Sequence, residues 1–398
     1  MRKIVLTLKA TLSKLGVARL GDARVKSRTT ALLIPSAFFC AFALCLPAVL
    51  VAAEAPSFTL VPDWPKPLPH NWKLRPITGL TVDKQGHVWI AQFAGTPPPG
   101  SVMAKYYHPD DSNCCGAPPI IEFDQEGNYV QGWGGPGKGY DWPKLPHGIY
   151  VDYKGFVWIA GTNSGDSADG QVLKFTRDGK FVMQIGHPGK SGGAADTSSF
   201  DRPANFSVDS KTNELFVADG YGNRRIIVLD ADTGKFKRMW GAYGKPPVDK
   251  GPEALNNFNG SDPVDPNGPP PPHFNSPVHC AVLAQDDLLY VCDRSNGRVQ
   301  VFHTDGTYVR EFLFKGHGDS GGITDVVLWP DAKQTYLIAA SSSAIFVLRR
   351  ADGQVLSNIG QSEETFIHML GMDQHGNLYT GEVNQRVQKW APTQSPGH

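Results

Sequence analysis

Hydrophobic and polar positions repeat along this chain at a spacing of several tens of residues. One unit reads Leu80-Thr81-Val82-Asp83-Lys84-Gln85-Gly86-His87-Val88-Trp89-Ile90-Ala91: an apolar strand, a Gly-centred turn, and a strand ending in aromatic, aliphatic and Ala positions. The same pattern returns at Gly148 to Ala160, Phe206 to Ala218, Ala281 to Cys292, Val326 to Ala339 and Leu370 to Thr380. A second hairpin follows five of these units, turning about Glu126-Gly127, Asp178-Gly179, Thr233-Gly234, Asp305-Gly306 and Asp352-Gly353. Two hairpins make a four-stranded blade, and six units predict an all-β, six-bladed β-propeller. The sixth unit stops one strand short, after Arg386-Val387-Gln388-Lys389-Trp390. The extended segment Phe58-Thr59-Leu60-Val61 is expected to supply the missing outer strand and so close the ring.

Composition agrees with this reading: 43 Gly and 32 Pro among 398 residues suit many short strands and tight turns. Residues 1–53 differ from the rest. Basic residues precede an apolar run from Ala31 to Ala53, which predicts an export signal or an uncleaved membrane anchor, with the propeller occupying 54–398. Without that segment the chain holds 30 basic and 37 acidic residues, which argues against nucleic acid as a partner. A secreted or periplasmic monomer is expected, membrane-bound only if the segment is retained. In an oxidising compartment Cys280 and Cys292, which flank a short hairpin, are expected to form a disulfide. The adjacent Cys114 and Cys115 could form a vicinal disulfide or remain free thiols.

Aligning the residues that lead into the innermost strand of each blade gives Thr78, His147, Ala204, His279, Asp325 and His368. The histidines fall in alternate blades, about 120° apart around a six-fold ring. Three imidazoles with an open fourth position are the donor set of a catalytic zinc site, although each could instead cap a strand. In a hairpin the end of the second strand lies at the same rim as the start of the first. Gln92, Asp219, Tyr221, Asp293, Arg294 and Glu382 therefore belong to that rim. Tyr221 could serve as a base if a cation lowered its pKa, or pack as a rim aromatic. Arg294 could hold a carboxylate, or pair with Asp293.

With Leu145-Pro146-His147-Gly148, Val217-Ala218-Asp219-Gly220-Tyr221-Gly222-Asn223-Arg224-Arg225-Ile226, Pro277-Val278-His279 and Asp293-Arg294-Ser295-Asn296-Gly297-Arg298, the chain resembles the NHL-repeat propellers, and more closely the peptidyl-α-hydroxyglycine α-amidating lyases. The resemblance implies zinc on His147, His279 and His368, a catalytic Tyr221 and a rim Arg294. It further implies cleavage of a carbinolamide to an amide and glyoxylate. Three positions depart from the family. Gln92 and Phe93 stand where a substrate-binding arginine is expected, Phe366 where a methionine precedes the third histidine, and Met369 where an aspartate would hold calcium. Zinc is thus implied and calcium left without its ligand. A small-molecule or peptide-like substrate would meet Gln92, Asp219, Asp293 and Phe366. A non-catalytic NHL module that binds a protein or cell-envelope ligand is the competing reading.

Overall fold

The structure is a computed structural model, which describes residues 54–93, 95, 103, 116–249, 265, 268–314, 322–360 and 365–396. The leader expected at 1–53 and the Cys114-Cys115 pair lie outside these residues. Among the described residues no helix is long and apolar enough to cross a membrane.

Every strand belongs to one of six four-stranded antiparallel sheets. Strand β1 (Phe58–Val61) comes first in the chain and last in the ring. Blade one is β2 (Ile77–Val82), β3 (Val88–Gln92), β4 (Ile120–Phe123) and β5 (Tyr129–Trp133), and blade two is β6 (Pro146–Val151), β7 (Val157–Gly161), β8 (Gln171–Phe175) and β9 (Phe181–Gly186). Blade three is β10 (Asn205–Val208), β11 (Glu214–Asp219), β12 (Arg225–Asp230) and β13 (Phe236–Trp240), and blade four β14 (Val278–Leu283), β15 (Leu288–Asp293), β16 (Arg298–His303) and β17 (Tyr308–Leu313). Blade five is β18 (Asp325–Leu328), β19 (Tyr336–Ala340), β20 (Ala344–Arg349) and β21 (Val355–Gly360). Blade six is β22 (Ile367–Met372), β23 (Leu378–Glu382) and β24 (Arg386–Pro392), completed by β1. Phe58 pairs with Pro392 and Leu60 with Trp390, as the incomplete sixth repeat predicts.

The turn of the repeat is fixed by its aspartate. Asp83 Oδ1 accepts the N–H groups of Gln85 and His87 at 2.9 Å each, while Oδ2 accepts the Trp89 indole N–H at 3.0 Å. Asp152 does the same for Lys154, Phe156 and Trp158, and Asp373 for His375, Asn377 and the Tyr379 hydroxyl. One carboxylate thus satisfies the turn and anchors an aromatic ring on the second strand.

Those rings and their aliphatic neighbours fill the spaces between blades. One apolar cluster lies at each interface: Trp89 with Ile149 between blades one and two, Trp158 with Phe206 between two and three, and Phe216 with Val278 between three and four. Val299 with Leu337, Ile338 with Leu370, and Leu80 with Tyr379 complete the circuit. The innermost strands consequently neighbour one another in a closed ring around a pore. The pore encloses a cavity of about 240 Å³, lined mainly by these strands, from Leu80 to Met372.

Candidate metal centre

The three histidines meet at one end of the pore because each stands on a β-bulge. In blade four Val278 pairs with Asp293 and Cys280 with Cys292, so His279 is the extra residue. In blade six Ile367 pairs with Glu382 and Met369 with Gly381, leaving His368. In blade two the register shifts between Pro146 and Ile149, across His147. A bulge turns its extra side chain out of the ladder, here toward the axis. Gly148 permits the close approach this requires, since a Cβ there would stand 2.6 Å from the Ala204 carbonyl oxygen.

The rings form a nearly equilateral triangle, with centroids 5.1 Å (His147–His279), 4.7 Å (His147–His368) and 4.8 Å (His279–His368) apart. His147 Nδ1 is bonded to the Ala204 carbonyl at 2.9 Å and His279 Nδ1 to the Thr324 carbonyl at 2.6 Å. Each carbonyl belongs to the next blade. His368 Nδ1 is buried without a hydrogen bond of ordinary geometry, though the Thr78 backbone acts on this ring in the same favourable sense. The carbonyls fix the protons on Nδ1 of His147 and His279, leaving Nε2 lone pairs facing inward.

These accepting positions correct one expectation. The blade-five counterpart of the histidines is Thr324, not Asp325. The Thr324 N–H donates to Ala340 as the Ala204 N–H does to Ala218, and the Thr324 hydroxyl donates to Ala340 as the Thr78 hydroxyl does to Ala91. Asp325 instead lines the cavity, where its carboxylate accepts the N–H groups of Val326 at 2.9 Å and Leu370 at 3.0 Å. Burial raises its pKa to about 7.

Electrostatics suit a cation at the histidines. Burial pushes His147 down to about 4, and burial with mutual repulsion holds His279 and His368 well below the ordinary value, so all three are neutral at pH 7. Nε2 of His279 and Nε2 of His368 lie 3.2 Å apart. With its own proton on Nδ1, His279 Nε2 is the acceptor there and His368, whose Nδ1 lacks a hydrogen bond of ordinary geometry, donates from Nε2; a shared cation would take the place of that proton between the two nitrogens. Ligand atoms of all three histidines lie within 4.8 Å of one another. Three neutral nitrogens with one side open fit zinc, and they do not fit calcium, which takes oxygen ligands.

Tyr221 and Arg294 border the triangle. The Tyr221 hydroxyl is 3.2 Å from His147 Nε2, and its ring lies 5.2 Å from that of His147 and 5.8 Å from that of His279. Burial raises the Tyr221 pKa, while the positive charges of Arg294 and Arg202 pull it down. In the absence of a bound cation, then, Tyr221 is a neutral phenol. Arg294 does not pair with Asp293; its guanidinium lies 5.7 Å from the Phe366 ring, which in turn is 6.3 Å from His368. Phe366 also packs with Phe93, Met103, Leu145 and Val383 in an apolar cluster on this rim.

The other rim residues are committed elsewhere. Asp219 accepts bonds from Arg225 Nε (2.9 Å), Asn223 (2.8 Å) and the Asp201 N–H (2.9 Å). Asp293 does likewise with Arg298 Nε (2.7 Å), Asn296 (2.8 Å) and the Asn275 N–H (2.9 Å). Gln92 bonds to Ala117, Pro118 and the Arg75 N–H, and Glu382 to Arg386. All four side chains are fully buried and brace loops, although their place in the repeat predicts that they face the metal or a substrate. A second metal-like cluster, Asp83, His87 and Glu122, already holds a cation: the Arg177 guanidinium contacts both carboxylates.

Comparisons with known proteins agree with this architecture. The NHL repeat matches residues 274–302, which span the first three strands of blade four and include His279. NHL repeat-containing protein 3 of Mus musculus is 29% identical over 294 residues, covering 70% of this chain and 74% of its own. Peptidyl-alpha-hydroxyglycine alpha-amidating lyase 1 of Drosophila melanogaster is 28% identical over 357 residues, 82% of this chain and 58% of its own. Peptidylglycine alpha-amidating monooxygenase of Rattus norvegicus is 26% identical over 264 residues, 64% of this chain and 24% of its own. The chain is thus a six-bladed propeller that carries an NHL repeat and is homologous to the amidating lyases.

Proposed function

We propose that this protein is an exported, zinc-dependent lyase that cleaves the C–N bond of a small hydroxylated substrate of the N-acyl-α-hydroxyglycine class. The observation that carries the reading is the convergence of three inward-facing imidazoles with Tyr221 and Arg294 on one pore rim. Similarity to proteins named as amidating lyases supports the reaction class, and the Cys280–Cys292 disulfide supports an oxidising compartment.

His147, His279 and His368 would hold the ion. When bound it would supply Lewis acidity toward the substrate hydroxyl and positive charge favouring the Tyr221 phenolate. Arg294 holds the substrate carboxylate, and the Phe366 cluster lines the apolar side of the rim. Tyr221 Oη takes the proton of the carbinol hydroxyl as the carbonyl forms. The C–N bond breaks with its electron pair passing to nitrogen, and the proton on Tyr221 returns to that nitrogen. The products are an amide and glyoxylate.

Zinc-reconstituted protein should contain about one zinc per chain, with His279→Ala abolishing it. Tyr221→Phe should keep the metal and lose roughly 10²- to 10⁴-fold in kcat on N-benzoyl-α-hydroxyglycine. Protein without zinc after this treatment would falsify the reading. Similarity to NHL repeat-containing protein 3 favours the second reading, a binding module. Under it, Tyr221→Phe would leave every measured property unchanged.

A further inference from the structure

Tyr221 stands between β11, which ends at Asp219, and β12, which starts at Arg225, so no strand pairing fixes its backbone. Arg202 does so instead. Its carbonyl accepts the Tyr221 N–H at 3.3 Å, and its Nη2 donates to the Tyr221 carbonyl at 2.6 Å. One residue thereby grips both polar groups of the Tyr221 backbone.

Arg202 is itself held at two further points. Its N–H donates to the Asp169 carbonyl of blade two at 2.7 Å, and its Nε donates to Asp201 at 3.1 Å. The Asp201 N–H in turn bonds to Asp219, the residue that ends β11. Arg202 is buried, and its φ is +60°, a left-handed conformation in which glycine is the low-strain residue. Strain of this kind persists where the surroundings over-determine it, and here the reason for a long side chain is the bond from Nη2 to Tyr221. Ser276 Oγ, from the loop before blade four, meets the same Tyr221 carbonyl at 3.3 Å.

We propose that Arg202 is a positioning residue that clamps Tyr221 so that its hydroxyl stays against His147 at the three-imidazole centre. The assignment rests on the lyase reading for its kinetic consequence, and on geometry alone for the clamp. It also describes how a rim without the blade-one arginine keeps a second guanidinium beside the tyrosine. Arg202 works through the backbone of Tyr221 and is not itself a catalytic residue.

The test compares zinc-loaded wild type with Arg202→Gly, which accepts the left-handed conformation and keeps the backbone bond to the Tyr221 N–H but removes the Nη2 arm of the clamp, and Arg202→Lys, which keeps one donor. Arg202→Gly should retain wild-type zinc content while kcat on N-benzoyl-α-hydroxyglycine falls about 100-fold with KM little changed, the cost of misplacing a reacting group by about 1 Å. Arg202→Lys should recover part of that loss. A crystal structure of metal-free Arg202→Gly should show the Tyr221 hydroxyl out of hydrogen-bond reach of His147 Nε2, a contact of 3.2 Å in the wild type. Unchanged kcat with Tyr221 in place overturns the proposal, as does an effect confined to KM, which would make Arg202 a substrate contact. If wild type turns over nothing, the lyase reading fails, and the crystallographic position of Tyr221 alone decides for or against the clamp.

Discussion

At the scale of single residues, the pore is lined by groups of opposite titration behaviour. The histidines are held neutral below their ordinary pKa, while Asp325 is held protonated above its own. Their effects on stability have opposite signs. Between about pH 6.5 and 4 the unfolded chain binds a proton at His147 that the native metal-free protein refuses, so this contribution weakens the fold as pH falls. Asp325, raised to about 7 from 3.8, keeps a proton in the native state that the unfolded chain releases. Its contribution is full below about pH 3.8 and is lost as pH rises through 7. Urea unfolding of Asp325→Asn and of the wild type should therefore diverge with pH, the variant gaining relative to the wild type from pH 4 to 7. A constant difference across that range would assign Asp325 an ordinary pKa.

At the scale of elements, the site is built by bulges and by the turns that leave each second strand. Bulges sit at His147, His279 and His368, and also at Thr78, where Ile77 pairs with Gln92 and Gly79 with Ala91. The innermost pairs of blades three and five have none: Asn205 pairs directly with Ala218 and Asp325 with Ala340, so the equivalent positions are the residues just before these strands, Ala204 and Thr324. A count of residues along the repeat cannot register this difference, because a bulge adds a residue without altering the apolar pattern around it. The turns depend on buried pairs, Asp219 with Arg225 and Asp293 with Arg298, in which every partner is fully buried. Asp293→Ala would leave Arg298 Nε without its acceptor and Glu311 as its remaining carboxylate, and should cost about 1.5–3 kcal/mol in urea unfolding. It should also disturb Arg294, the next residue in the chain. The sequence placed Asp293 at the right rim but not the direction of its side chain. Arg298, five residues on, competes for it successfully because strand pairing sets the two opposite each other.

At the scale of the whole molecule, closure depends on a strand separated from its partner by more than 300 residues of chain. Pairing of Phe58–Val61 with β24 covers the last open edge, and Phe58 packs edge-on against Trp329 of blade five at 6.1 Å. Removing residues 54–61 uncovers that edge. The shortened protein should unfold roughly 5 °C lower and aggregate through β24, as read by calorimetry and light scattering; the estimate combines about 2–3 kcal/mol of lost burial with about 2 °C per kcal/mol for a domain of this size. An unchanged transition would mean that blade six is closed by other contacts.

The sequence by itself determined the number of blades, the identity of the closing strand, the Cys280–Cys292 pairing and the three histidines at alternate repeats, because these follow from periodicity and each repeat folds against its neighbours in the same way. It did not determine which rim residues face the pore. Gln92, Asp219, Asp293 and Glu382 share a position in the repeat that Tyr221 and Arg294 follow by one or two residues, and only the tertiary structure separates residues that brace loops from those that border the imidazoles. Arg202 carries no motif at all. Its meaning comes from a left-handed backbone and two hydrogen bonds to a tyrosine 19 residues away, both set by how blades two, three and four come together.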